Sequence, residues 1–211
     1  MTLQEVKRLA AQGEGLRLEF KKKVAFPEKI VRELIALANT EGGKLLLGVD
    51  DDGTVSGQRF IEEEVFVLKR AIQDYILPSF DYEVDMIKIN EKKGVAIFDI
   101  PKSNGTAHYL MDGNRKKAYI RVEDRSVQAS REVWEILKRR HHQRDIVFTY
   151  GPKEEKLMRI LGENGKVTLR EYIREAKLPK FLASKTLVRL VLANVLEIHP
   201  EESEDYFTLK E

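Results

Sequence analysis

Cysteine is absent from this chain of 211 residues. Its absence excludes disulfides, thiolate nucleophiles and cysteine-ligated zinc sites. No apolar run approaches the roughly 18 residues that a membrane-spanning helix requires, and the opening segment MTLQEVKRLAAQGEG lacks the apolar core of a signal peptide. We therefore expect a cytoplasmic protein that has no membrane partner.

A large excess of one charge is also absent, because 37 Lys and Arg residues stand against 35 Asp and Glu residues, for a net charge of +2. The total charge therefore gives no argument for nucleic-acid binding. Basic residues are nevertheless clustered at 21–23 (KKK), 115–117 (RKK) and 138–144 (KRRHHQR). Such clusters either track a phosphate backbone or form solvated faces, and the sequence leaves both interpretations open.

Helical and strand patterns alternate over the first 144 residues. Apolar spacing and capping residues predict helices in TLQEVKRLAAQG, after Pro27, in EEEVFVLKRAIQDYIL and after Ser130. Period-two alternation predicts a strand in LRLEFKKKV. Further strands are predicted in GGKLLLGV, YEVDMIKIN, GVAIFDIPKS and AYIRVED, and the turn signal NEKKG joins YEVDMIKIN to GVAIFDIPKS as a hairpin. The predicted fold class is α+β, with a mixed sheet in the first domain.

A break near Gly151 and Pro152 predicts a second domain. We place a first domain at 1–144, a linker at 145–152 and a second domain at 153–211. In the second domain, three helical patterns precede two strands around a polar turn, which is the order of a winged helix-turn-helix. Gly165 is expected to end its first helix, and Thr168 with Glu171 forms a predicted capping box.

The segment ALANTEGGKLLLGVDDDGTVSG, at 36–57, has features of a phosphate loop and of a calcium loop. A phosphate loop places its glycines before a helix, whereas these glycines follow one. The aspartates lack the alternate spacing of an EF-hand, and with Asp50 as the first ligand position the twelfth position is Ile61, not a glutamate. We therefore interpret TEGG as a helix stop before a closely packed strand, and DDDG as a tight turn that leads directly into another strand.

Asp50 keeps a second interpretation because it ends a strongly apolar strand. Pairing of LRLEF with KLLLGVD would bring Glu14 and Glu19 towards Asp50. Three converging carboxylates could hold Mg²⁺ or Mn²⁺ and support phosphoryl-transfer chemistry. The spacing of five would place Glu14 and Glu19 on opposite faces if one strand carried both, so convergence requires a bend after Gly13.

Three blocks of the sequence resemble a known family. GEGLRLEFKKK, IVRELIALANTEGGKLLLGVDDDGTVSG and AYIRVEDRSVQAS are similar to the signature blocks of the Schlafen AlbA-like domain, also called the divergent AAA-4 domain, over about residues 5–140. The resemblance implies a mixed α/β domain that binds nucleic acid and that in bacteria is commonly joined to a winged helix. In animal Schlafens the similar domain is a metal-dependent endoribonuclease for structured RNA, whose acids correspond here to Glu14, Glu19 and Asp50.

The resemblance has two departures. RVEDRS stands where many relatives have a glycine and serines after the arginine, so the third block is looser. Animal enzymes also duplicate the domain to form a groove, whereas this chain carries one copy, and a homodimer would supply the second.

We therefore expect a bacterial DNA-binding transcriptional regulator without a required cofactor, and we keep a metal-dependent ribonuclease acting on RNA as the alternative. The predicted nucleic-acid contacts are basic or polar residues of both domains: Lys21, Lys22, Lys44, Arg115, Lys116, Arg121, Arg125, Lys180, Ser184, Lys185 and Arg189. The last four lie on the third helix of the second domain, which would enter a major groove. The acidic turn at 201–205 would repel phosphate and is not expected to grip the backbone.

Overall fold

Helices cover both faces of a mixed sheet in the first of the two units into which the chain divides. A computed structural model describes residues 1–140 and 149–210, and the units are Met1–Gln128 and Ala129–Glu211. The predicted domain boundary at 144, the basic segment at 141–144 and the first half of the predicted linker lie outside the described residues. The α+β fold class is confirmed.

The first unit contains three helices that the sequence predicts, with bounds α1 (Leu3–Ala10), α2 (Pro27–Asn39) and α3 (Ile61–Tyr75). Its strands are β1 (Leu18–Lys21), β2 (Gly43–Leu47), β3 (Gln58–Arg59), β4 (Glu83–Lys88), β5 (Lys93–Ile100), β6 (Leu110–Asp112), β7 (Arg115–Lys117), β8 (Tyr119–Val122) and β9 (Arg125–Gln128). The main sheet has the order β1-β2-β5-β3, and β4 also pairs with β5.

The sheet is mixed because β1 runs parallel to β2, whereas β5 is antiparallel to its partners. The predicted hairpin is confirmed as β4 and β5. The prediction of a strand directly after the Asp-Gly turn is wrong. Residues 54–57 form no strand, and the next strand is β3 at Gln58–Arg59, which pairs with β5.

Two apolar cores lie on opposite faces of this sheet. Leu45 and Leu47 pack with α2 and α3, whereas Leu46 and Phe20 pack with α1. Strand register pairs Glu19 with Leu45 and Phe20 with Leu46. Because side chains alternate along a strand, Glu19 is directed to the α2 side of the sheet.

The second unit contains helices α4 (Arg131–Arg139), α5 (Pro152–Asn164), α6 (Leu169–Ala176) and α7 (Lys180–Leu192), with strands β10 (Val167–Thr168), β11 (Leu196–His199) and β12 (Tyr206–Leu209). The strands form a sheet in the order β10-β12-β11. Gly165 ends α5 in the left-handed conformation, and Thr168 with Glu171 forms the capping box of α6, as predicted.

Helix α4 belongs to the second unit in this structure, although the sequence analysis placed it in the first domain. Ile136 packs against Val188 and Leu192 of α7. This grouping follows from a tertiary contact that local periodicity does not reveal. Across the described residues, no helix has the length and apolar character needed to cross a membrane.

The glycines after α2 end that helix and allow the chain to pass close to the backbone of Arg17. The N–H groups of Thr40 and Gly42 donate to the carbonyl of Leu37 at 3.1 and 2.8 Å. At Gly43 the φ angle is +152°, and an added Cβ would clash with Arg17, whose Cα would be 2.8 Å away. These contacts support the interpretation of TEGG as a stop before a closely packed strand.

We predict that Gly43→Ala lowers the free energy of unfolding by about 1–3 kcal/mol, because the new Cβ must displace the backbone at Arg17. Urea denaturation measures the change. Gly15→Ala is the matched control in the same unit, since no atom lies within 4 Å of an added Cβ there. Equal stability of the two variants would contradict the close-packing account.

Candidate nucleic-acid interface and the buried acid cluster

A buried ion cluster connects β1, α2, β8 and β9. The guanidinium of Arg121, on β8, is 2.6 Å from a carboxylate oxygen of Glu19 and 2.8 Å from one of Glu33. It also donates to the hydroxyl of Ser126 at 3.1 Å and to the carbonyl of Gly15 at 3.1 Å. The Arg121 side chain is only 1% exposed. Arg121 is therefore unavailable for phosphate contact in this structure, which corrects its predicted role.

Glu33 is the site residue that the sequence analysis missed. It lies on α2 beside Arg121, and its carboxylate accepts a hydrogen bond from the Ser126 hydroxyl. Burial raises the pKa of Glu33, and the nearby charge of Glu19 raises it further. The available signal was its helical spacing, because residues 30, 33, 34 and 37 lie on one face of α2 and the other three are buried core residues.

Glu14 lies close to Glu19, as the carboxylate hypothesis requires. Its Oε1 accepts a hydrogen bond from the backbone N–H of Phe20 at 2.8 Å, which bends the preceding loop back over β1. Burial raises the pKa of Glu14, and the charge of Glu19 also raises it, while the Phe20 hydrogen bond lowers it. The bend after Gly13 thus brings two of the three predicted acids together.

Asp50 does not complete a three-acid cluster with them. It forms an ion pair of 2.7 Å with Lys22, and the hydrogen bond from that lysine lowers the pKa of Asp50. Over residues 1–140 and 149–210, no group of three acidic or histidine side chains is arranged to hold a metal ion. The predicted convergence of Glu14, Glu19 and Asp50 is therefore not present in this structure, because Glu19 is instead bound to Arg121 and Lys21.

Several predicted phosphate contacts in the first unit already have carboxylate partners. Lys21 pairs with Glu19, Lys22 with Asp50, and Lys44 with Asp99. Each pair would have to open, or share its cation, before the lysine could bind phosphate. These lysines are therefore weaker candidates than cations that have no such partner.

The β6–β7 hairpin carries two exposed cations among the predicted contacts of this unit. Strand register pairs Met111 with Lys116 and Asp112 with Arg115, so these two pairs project from opposite faces of the hairpin. The Lys116 ammonium lies 4.5 Å from the centre of the Tyr109 ring. Arg115 and Lys116 are both exposed, as is the predicted contact Arg125 on the neighbouring hairpin.

Of the four predicted contacts on helix α7, three are exposed and one is buried. Lys180, Lys185 and Arg189 are exposed. Ser184 is buried, and its hydroxyl donates to Glu132 at 2.5 Å. Ser184 therefore fixes α4 to α7 and is not available to a duplex, which corrects its predicted role.

We predict that Arg121→Met costs about 3–5 kcal/mol of unfolding free energy, because it removes the buried cation that Glu19 and Glu33 share and leaves Glu19 with Lys21 alone. Chemical denaturation at neutral pH measures this cost. Arg115→Met is the matched control and should change stability by less than about 0.5 kcal/mol, since Arg115 is exposed. A similar small cost at both positions would show that the buried cluster is not structurally important.

One solved structure of another protein is similar to part of this chain. The chain is similar to a crystal structure of the DIP2311 protein from Corynebacterium diphtheriae, with 19% identity and a TM-score of 0.46. That alignment covers 65% of this chain and 27% of the other, so this chain spans about a quarter of that protein. No curated protein sequence matches.

A protein-family comparison identifies the segment that contains the buried ion cluster. The model of the family described as "Schlafen, AlbA_2" matches residues 14–130, more than half of the chain, and includes Glu14, Glu19, Asp50 and Arg121. This family indicates a nucleic-acid-binding domain. The chain therefore belongs to the Schlafen AlbA_2 family.

Proposed function

We propose that the protein is a DNA-binding transcriptional regulator whose second unit contacts duplex DNA through α7. The observation that carries this proposal is the charge of that helix. Its sequence, KFLASKTLVRLVL, contains no acidic residue, and its three cations, Lys180, Lys185 and Arg189, are all exposed. A helix surface with only positive charge is suited to phosphate oxygens and to the acceptor atoms of the major groove.

The surrounding fold supports this use of α7. The face opposite Lys185 and Arg189 carries Ala183, Leu187 and Leu190, which pack in the apolar core of the unit. Helices α5 and α6 precede it, and strands β11 and β12 follow it as an antiparallel pair. This arrangement supports a winged helix-turn-helix in which α7 is the recognition helix.

The acidic turn between β11 and β12 has internal roles. Asp205 accepts hydrogen bonds from the Ser130 hydroxyl and from the N–H of Glu201. Glu204 lies 3.5 Å from the guanidinium of Arg170. These contacts fix the turn, and its remaining negative charge disfavours a grip on phosphate, so the proposed contact depends on α7.

The first unit would add contacts that do not depend on base sequence. Arg115 and Lys116 on the β6–β7 hairpin and Arg125 on β9 offer exposed positive charge to the backbone. We further propose a bacterial, cytoplasmic setting and a homodimer that combines two AlbA_2 domains into one groove. Two copies would also double the number of duplex contacts, which suits a regulator that binds paired half-sites.

We predict that Lys185→Ala and Arg189→Ala each weaken duplex DNA binding and reduce the slope of log affinity against log salt by about one, because each removes one phosphate contact. Fluorescence anisotropy with a labelled duplex over a salt series measures both quantities. Lys156→Ala is the matched control, an exposed lysine on α5 of the same unit, and should retain the wild-type slope. Indistinguishable slopes for all three variants would remove α7 from the binding surface.

A metal-dependent ribonuclease is the second candidate. The observation that favours it is the approach of Glu14 to Glu19. Burial raises the pKa of the Glu14 carboxyl, and the charge of Glu19 raises it as well. Paired carboxylates are suited to holding Mg²⁺ or Mn²⁺ beside a scissile phosphate. The residues that would hold the ion are Glu14, Glu19 and Asp50, after Glu19 and Asp50 exchange their present cation partners for the metal.

If this candidate is right, wild-type protein cleaves structured RNA in the presence of Mg²⁺ or Mn²⁺, and both EDTA and Asp50→Asn abolish cleavage because the third metal ligand is lost. Denaturing gel electrophoresis of end-labelled RNA measures the products. Asp51→Asn changes the neighbouring exposed carboxylate and should remain active. Cleavage that survives both EDTA and Asp50→Asn would point to a contaminating nuclease.

A further inference from the structure

A cleft in the first unit lies away from the buried acid cluster and from the β6–β7 hairpin. It has a volume of about 390 Å³ and is formed where the start of α3 faces the turn between β4 and β5. This volume falls within the range of roughly 300–1,000 Å³ that is typical of small-ligand sites. Its walls carry one aromatic ring and several charged side chains: Arg59, Phe60, Glu62, Lys88, Lys92 and Lys93.

Phe60 is in an unusual conformation for its residue type. It precedes α3 with φ 54° and ψ 46°, in the left-handed region, and it is 67% exposed. Bulky residues rarely adopt this region, where glycine or asparagine is favoured. An exposed ring contributes little apolar burial to the fold, so packing does not explain why phenylalanine occupies this strained position.

The cleft also concentrates positive charge. Four cations line it, whereas Glu62 and Glu91 are its two acidic residues. The Lys93 ammonium donates to the backbone carbonyl of Ser56 at 3.1 Å. Within the described part of the chain, Arg59, Lys88 and Lys92 form no ion pair, in contrast to Lys21, Lys22 and Lys44. Their charge is therefore available to an anionic ligand.

Close backbone packing holds the two walls of the cleft together. An added Cβ at Gly94 would lie 2.8 Å from Cγ2 of Ile61 and 3.1 Å from the carbonyl oxygen of Ile87. This contact joins the first residue of α3 to the β4–β5 hairpin. The ring and the cations are thus presented on a fixed scaffold before any ligand arrives, which limits the entropic cost of binding.

We propose that this cleft binds an unpaired nucleotide, with its base stacked on the Phe60 ring and its phosphate held by Arg59, Lys88 and Lys92. Aromatic stacking combined with nearby positive charge is the chemistry by which proteins hold single-stranded nucleic acid. A base within a duplex is stacked on its neighbours and cannot reach the ring without leaving the helix. The proposal rests on the nucleic-acid-binding function above and adds an unpaired strand, or a free nucleotide, as the ligand of this second site.

The test compares Phe60→Gly with Phe66→Ala in binding a fluorescein-labelled, single-stranded oligonucleotide. Phe60→Gly removes the ring and relieves the backbone strain, so single-strand affinity should fall by about 5- to 150-fold while the melting temperature stays the same or rises. Phe66 is the matched control, because it is 65% exposed on α3 but does not line the cleft. Phe60→Trp retains a stacking surface and should keep most of the affinity.

A Phe60→Gly variant that binds the oligonucleotide as tightly as the wild type would overturn the proposal, as would equal losses at Phe60 and Phe66. Absence of wild-type binding to both the oligonucleotide and adenosine monophosphate would also overturn it. Competition by adenosine monophosphate would identify a free nucleotide as a sufficient ligand, and its failure to compete would assign the site to a strand. Affinity for duplex DNA, measured for the wild type and for Lys185→Ala, tests the proposed function separately from this cleft.

Discussion

The guanidinium of Arg121 holds together the part of the chain that the Schlafen AlbA_2 family model matches. A cation that is 1% exposed requires compensating carboxylates, and Glu19 and Glu33 supply them. The same group binds the loop at Gly15, so the start of β1, helix α2 and the β8–β9 hairpin are fixed relative to one another. This arrangement also sets the chemistry of the acids, because Glu19 is engaged by a structural cation before any metal could reach it.

The basic residues fall into two groups, those that are paired with carboxylates and those that are free to bind phosphate. Lys21, Lys22 and Lys44 are paired with carboxylates, and their positive charge is largely offset within the fold. The exposed cations of the β6–β7 hairpin, of α7 and of the cleft lined by Phe60 are the ones whose positive charge can attract an anionic ligand. A small total charge is therefore compatible with nucleic-acid binding, because distribution over the surface governs the interaction.

Local features of the fold could be predicted from the sequence because their causes are local. Thr168, Gly165 and Ser130 act at helix ends through hydrogen bonds to residues a few positions away, and all three have their predicted roles. The contact of Arg121 with Glu33 joins residues 88 positions apart, and no periodic pattern encodes it. The burial of Ser184 depends on packing between α4 and α7, which helical spacing in α7 alone could not reveal.

The candidate site was predictable to a similar extent. The sequence named a bend after Gly13 as the condition for bringing Glu14 to Glu19, whereas the pairing of Asp50 with Lys22 depends on tertiary structure. The strained, exposed conformation of Phe60 could not be predicted from the sequence, because no sequence pattern indicates a φ angle of 54° at a phenylalanine. Such positions can be identified only in the folded structure, since strain is a property of the folded backbone.

The most direct test of the account is the salt dependence of nucleic-acid affinity for the wild-type protein. If exposed cations contact phosphates, a plot of log affinity for duplex DNA against log salt concentration should be linear and steep, with a slope of about −0.9 for each phosphate contacted. The account predicts several such contacts. A flat response, or no measurable binding at low salt, would contradict it.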